Sequence, residues 1–179
     1  MTGFGALRGK MMKMKSKSLA ALLMAGAMAL PAAVAHAEAT PAMREAATAG
    51  VDARAKLAQQ MVDQVFSYAE PGFQEFKTSE YLTGILEKNG FKITRGVAGI
   101  PTAWTATWGE GGPLVSLGSD IDGLLGLSQY PGIGDIKPMV EGAPGHGEGH
   151  NSGMPLMVVA ALAAKGVMEK NKIPGQGGE

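Results

Sequence analysis

Between positions 145 and 151 the sequence reads Gly145-His146-Gly147-Glu148-Gly149-His150-Asn151, so three potential ligands alternate with glycine. In an extended or turning backbone a spacing of two puts His146, Glu148 and His150 on one side. The intervening glycines permit the sharp curvature that brings such side chains onto one ion. Imidazole nitrogen and carboxylate oxygen form a donor set that zinc or manganese accepts. The spacing differs from the helical H-E-x-x-H pattern, and the same residues also suit a glycine-rich surface turn with two solvated histidines. A second group, Asp120 and Asp122 in Ser119-Asp120-Ile121-Asp122-Gly123, follows directly after a short apolar run. Open α/β sheets bind ligands just beyond the carboxyl ends of their strands. Carboxylates there can ligate a metal or hold a ligating imidazole in one tautomer; they can equally cap the turn before Gly123. The two groups support each other only if the fold brings them together.

Other chemistries find little support. The 179 residues contain no cysteine, which excludes a disulfide scaffold, a thiolate metal site and a cysteine nucleophile. Ser128 and Ser152 have no identifiable Ser-His-Asp arrangement. Gly109-Glu110-Gly111-Gly112 precedes a strand, the wrong order for a phosphate-cradling loop.

The elements that must position these residues follow from hydrophobic period. Leu57, Met61 and Val65, with Val62, Phe66 and Ala69, recur at three and four, predicting one helix from Arg44 to Ala69 that Pro71-Gly72 ends. Thr78 or Ser79 suits the cap of a second helix with Tyr81, Leu82, Ile85 and Leu86 inward, stopped by Asn89-Gly90. The period then changes to two. Phe91 to Arg95, Ala103 to Trp108 and Pro113 to Leu117 predict three strands, the third the most buried. Trp104 and Trp108 fall on one face of the second. From Ser119 to Gly153 no period holds, a length at which loops are usually functional or disordered. Met154 to Lys170 returns to helical spacing.

Net charge is zero, from 16 basic and 16 acidic residues, but the balance is uneven. Residues 1–37 carry five basic residues and no acid, then an apolar run from Leu19 to Val34, then Ala35-His36-Ala37. A positive head, an apolar middle and an A-x-A end describe a secretory signal peptide. The run is shorter than the roughly 18 apolar residues a membrane span needs, so no stable anchor is expected after its removal. The remainder is net acidic, which argues against nucleic acid. The expected organisation is a signal peptide over 1–37, a linker over 38–43, a catalytic-type domain over 44–175 and a tail over 176–179. The product is expected to be periplasmic or secreted.

Several blocks, taken in order, resemble one family. They are Glu70-Pro71-Gly72-Phe73 with Glu75 and Thr78-Ser79, Asn89-Gly90-Phe91, Gly96 to Ala103, Asp120-Ile121-Asp122-Gly123-Leu124, and Gly145 to Asn151. Together they resemble the amino-terminal part of the zinc amidohydrolases and metallopeptidases that include aminoacylases, acetylornithine deacetylase and glutamate carboxypeptidases. The branch of aminobenzoyl-glutamate utilisation protein B is the most similar. The resemblance implies an α/β fold, a partial three-layer sheet with flanking helices. It also implies hydrolysis of the amide of an N-acyl amino acid or peptide, using zinc or manganese, with two ions in an intact member. By that resemblance His150 matches a metal ligand, Asp122 the acid of the strand-end motif and His146 the first histidine of its block. Glu148 stands where the branch usually has a metal-binding cysteine, and Asp120 where other branches have a metal-binding histidine. The family's general-base glutamate and further ligands fall beyond Ile173-Pro174-Gly175. These 179 residues are therefore expected to lack the base, to have little or no activity alone, and to expose a sheet edge prone to self-association. A non-catalytic exported module that binds metal or small ligands is the alternative.

Overall fold

Helix α1 begins where the backbone is first told to turn. In the computed structural model, which describes residues 38–178, Thr40 accepts a hydrogen bond from the Met43 amide and Pro41 occupies the first turn. The expected signal peptide lies outside the described residues. α1 (Pro41–Asp52) and α2 (Ala55–Tyr68) replace the single helix expected from Arg44 to Ala69. The break falls at Ala53-Arg54, where the Arg54 guanidinium donates to the Gly50 carbonyl at 2.7 Å. The small residues expected to form a linker thus start a helix, because capping outweighs weak propensity there. Gly50 lets α1 approach the last helix closely, since a Cβ there would lie 3.3 Å from the Ala163 Cβ.

α2 ends at Ala69, whose backbone is left-handed, and α3 (Phe76–Lys88) follows. Its cap is neither Thr78 nor Ser79. The Glu70 carboxylate reaches forward and accepts from the Lys77 amide (3.0 Å), the Thr78 amide (2.9 Å) and the Thr78 hydroxyl (2.9 Å). A carboxylate serves well at that end because the first N–H groups of a helix lack internal partners and carry partial positive charge.

The sheet comprises β1 (Lys92–Arg95), β2 (Trp104–Glu110), β3 (Leu114–Ser116) and β4 (Gly175–Gly178), in the order β1-β2-β4-β3. β1 pairs antiparallel with β2, and β2 antiparallel with β4, while β3 and β4 are parallel. Two expectations are corrected here. β3 is exposed along its length, with Leu114 at 64% and Val115 at 60%, because it forms the sheet's edge. The segment expected as a tail contributes β4, which lies between β2 and β3 through backbone hydrogen bonds that need no side-chain pattern.

α4 (His150–Asn171) carries the densest part of the core. Met154, Val158, Val159 and Leu162 meet Met61 and Val65 of α2, Leu82 and Leu86 of α3, and Phe91 and Ala106 near the strands. Burying each of the large side chains contributes roughly 1.5–3 kcal/mol, which holds the start of α4 against the sheet. Tyr81 and Ile85, expected inward, are only partly buried beside this core. The chain from Gly118 to Gly149 contains no helix or strand, only isolated bridges pairing Pro71 with Gly123 and Leu124 with Gly145.

Candidate metal centre

Two backbone anchors place the Asp120–Asp122 segment. Leu117 donates its amide to Gly178 at 3.0 Å, continuing the β3 direction past the strand's carboxyl end. Gly123 then donates to the Glu70 carbonyl at 2.7 Å. The aspartates therefore stand where strand-end ligand sites form in such sheets. Gly123 is also bound to be small, since a Cβ would lie 3.2 Å from the Gly145 carbonyl.

The glycine-spaced segment is anchored by Gly145, which exchanges two backbone hydrogen bonds with Leu124 (2.9 and 3.0 Å). A Cβ at Gly145 would overlap the Leu127 carbonyl. Gly149 adopts φ +96°, a left-handed conformation that suits glycine, and delivers the chain into α4. His150 is consequently the first residue of that helix.

His150 is the hub. Its Nδ1 lies 2.9 Å from Asp122 Oδ1, while Nε2 lies 3.2 Å from Glu148 Oε2 and 3.9 Å from Asp120 Oδ2. With its proton on Nδ1, the imidazole donates to Asp122 and turns its Nε2 lone pair toward Glu148 and Asp120. A cation between them would engage the lone pair and the carboxylates together. A carboxylate fixing one ring nitrogen while the other is presented outward is how metal-ligating histidines are commonly oriented.

His146 takes another direction. Its Nε2 lies 3.1 Å from the Val65 carbonyl of α2, and its ring packs on Phe66 with centroids 6.3 Å apart. Nδ1 is buried with no hydrogen-bond partner among the described residues. Burial pushes the His146 pKa down; hydrogen bonding to Val65 opposes this, and nearby His150 adds to the depression. No hydrogen bond or ion pair joins His146 to Glu148 or His150. The spacing of two predicted one shared side for the trio; the structure instead groups His150, Glu148, Asp122 and Asp120, with His146 turned against α2. The reason is that residues 145–149 bend rather than extend, with His150 already helical.

The donors are those zinc or manganese accepts, and a cation would relieve the opposition of His150 Nε2 and the two carboxylates. Among the described residues, however, no three His, Asp or Glu side chains are arranged to hold an ion. Sequence reasoning assigned no role to Glu75 or Thr102, whose buried side chains meet at 2.6 Å beside Asp120 and Asp122. Burial alone reveals them, and no spacing signal marks it.

No family model matches the chain. A curated relative, one of the subunits of the p-aminobenzoyl-glutamate hydrolase of Escherichia coli (strain K12), is 39% identical over 118 residues. The match covers 66% of this chain and 24% of the relative, so the chain spans about a quarter of that protein's length. A solved structure from methicillin-resistant Staphylococcus aureus, described as "a putative aminohydrolase", has a TM-score of 0.59 at 18% identity, covering 75% of this chain and 33% of that one. The YXEP protein of Bacillus subtilis, described as a dinuclear metal binding peptidase from the M20 family, has a TM-score of 0.49 at 19% identity, covering 75% and 34%. The fold is shared with part of the Staphylococcus aureus protein. The motifs that resemble the amidohydrolases thus belong to a chain that is similar over 118 residues to part of a hydrolase subunit.

Proposed function

We propose that this chain is part of an exported, metal-dependent amidohydrolase acting on the amide bond of an N-acyl amino acid or peptide. The observation that carries the reading is the His150 imidazole, held by Asp122 at 2.9 Å and presented to Glu148 at 3.2 Å beyond β3. The kinship with part of a hydrolase supports it.

Zinc or manganese bound by His150 Nε2 and Glu148, with Asp120 beside them, would supply Lewis-acid polarisation of the amide carbonyl and a water acidic enough to ionise near neutral pH. Asp122 acts through His150, fixing its tautomer and its ring plane. No residue here is assigned as general base, and that role contributes ~10²–10⁴-fold in rate. Little or no hydrolysis is therefore expected from this chain alone, whose share of the ligand set is partial.

Calorimetric titration of zinc into the wild type and His150→Ala tests the centre. Heat in the first and none in the second is expected; equal heats would remove the metal site. Hydrolysis of acyl-amino acids by the purified chain, abolished by a chelator and restored by zinc, would overturn its inactivity. A second reading is an exported metal- or ligand-binding module without catalysis, favoured by the cavity of about 360 Å³ that Asp120 and Asp122 border. Export rests on the positive head, apolar run and A-x-A end of residues 1–37; amino-terminal sequencing of protein released from the periplasm should begin at Glu38.

A further inference from the structure

A cavity of about 360 Å³ opens beside the His150 cluster, bordered by Asp120 and Asp122 on one side and by Glu75 on another. We propose that it is a subsite for an organic cation, a protonated amine or a guanidinium. Glu75 is 8% exposed, and its carboxylate accepts one hydrogen bond, from the Thr102 hydroxyl to Oε2 at 2.6 Å. Its Oε1 has no hydrogen-bond or ionic partner among the described residues. The start of α3 does not occupy it either, because the Glu75 side chain caps no amide there. The Glu75 side chain is thus largely covered by protein while one carboxylate oxygen stays without a protein partner at the cavity it lines, and a cation in that cavity can give it a charge-assisted bond.

The walls select the kind of cation. Among the described residues no lysine, arginine or histidine lines the cavity, so none of them repels a positive charge in it. Phe73, Trp104 and Met154 supply apolar and aromatic surface, to which alkyl chains adhere and over which ammonium and guanidinium groups are attracted. The volume lies within the ~300–1,000 Å³ of small-molecule sites, well above what a bare ion needs. Because the cavity shares Asp120 and Asp122 with the proposed metal centre, and resting on that reading, the substrate is an acyl-amino acid or peptide with a basic side chain.

The test is calorimetry on the full chain in a chelating buffer, with n-butylammonium as probe and n-butanol as its neutral isostere. The amine is expected to bind about 10-fold or more tightly than the alcohol, the scale of one charge-assisted hydrogen bond. Glu75→Gln keeps an acceptor for Thr102, and in it the preference should fall while the circular dichroism spectrum is retained. Equal binding of amine and alcohol by the wild type overturns the proposal whether or not the variant folds. So does an undiminished preference in folded Glu75→Gln. Zinc titration is run separately. Amine binding without zinc heats leaves the subsite standing and sinks the hydrolase reading, while zinc heats without amine preference do the reverse.

Discussion

The Gly123 amide donates to the Glu70 carbonyl at 2.7 Å, while the carboxylate of the same glutamate caps α3. One residue therefore fixes both the start of a core helix and the end of the aspartate segment. Glu70→Ala should lower stability by about 1–2 kcal/mol, as loss of a strong cap does. Urea denaturation measures it, and Glu70→Gln, which keeps one acceptor oxygen, should fall between.

Asp122→Asn leaves the shape of the His150 contact but removes the charge that orients the ring. Zinc affinity should weaken about 10–100-fold with the circular dichroism spectrum unchanged. Titration of both proteins at one pH checks this, and an unaltered affinity would place Asp122 outside the centre.

At Gly145 a side chain has nowhere to go, because the Leu127 carbonyl occupies the space of its Cβ. Gly145→Ala should cost on the order of 1–3 kcal/mol and reduce zinc binding with it, since Gly145 holds the segment leading to Glu148. Gly134→Ala, with open space around it, should change stability by less than about 0.5 kcal/mol. Denaturation of the two variants side by side separates them.

Burial lowers the His146 pKa in the folded state below its ordinary value of 6.5. The unfolded chain then binds more protons than the folded one between the two values, so stability rises with pH across that interval. The contribution is fully present above the unfolded pKa and is lost as pH falls from about 6.5 toward the folded value. His146→Gln should flatten this slope in melting temperatures recorded from pH 7 to pH 5. An equal slope in both proteins would assign the dependence to other groups.

β3 exposes Leu114 and Val115 on an edge with no charged residue. Such edges pair with other chains unless a charge blocks them. Val115→Lys should shift sedimentation toward the monomer with little loss of stability.

The sequence disclosed the elements better than their surroundings. Met61 and Val65 at helical spacing are buried, as are Leu82 and Leu86, because a stripe at that period has one face to hide. The Asn89-Gly90 stop also holds, Gly90 adopting φ +85°. Leu114 and Val115 misled, since an apolar run marks a strand without saying which neighbour covers it. Gly175 to Gly178 has too few side chains to carry a period, so its pairing was illegible. At the candidate site Asp122 lies 2.9 Å from His150, a meeting the sequence left open, whereas His146 faces Val65 because alternation predicts a shared side only in an extended backbone. Glu75 belongs to the first motif block, and the Thr102 hydroxyl that meets its carboxylate is distant in sequence.

The insertion of β4 between β2 and β3 has a kinetic consequence. During synthesis β3 emerges without the strand it will lie beside, and it must wait until α4 has been made and residues 175–178 follow. Loop closure over that separation is slow relative to local helix formation. The aspartates tethered beyond β3 therefore acquire a fixed position among the last events of folding. A nascent chain arrested just after α4 should show helical signal while still failing to capture zinc.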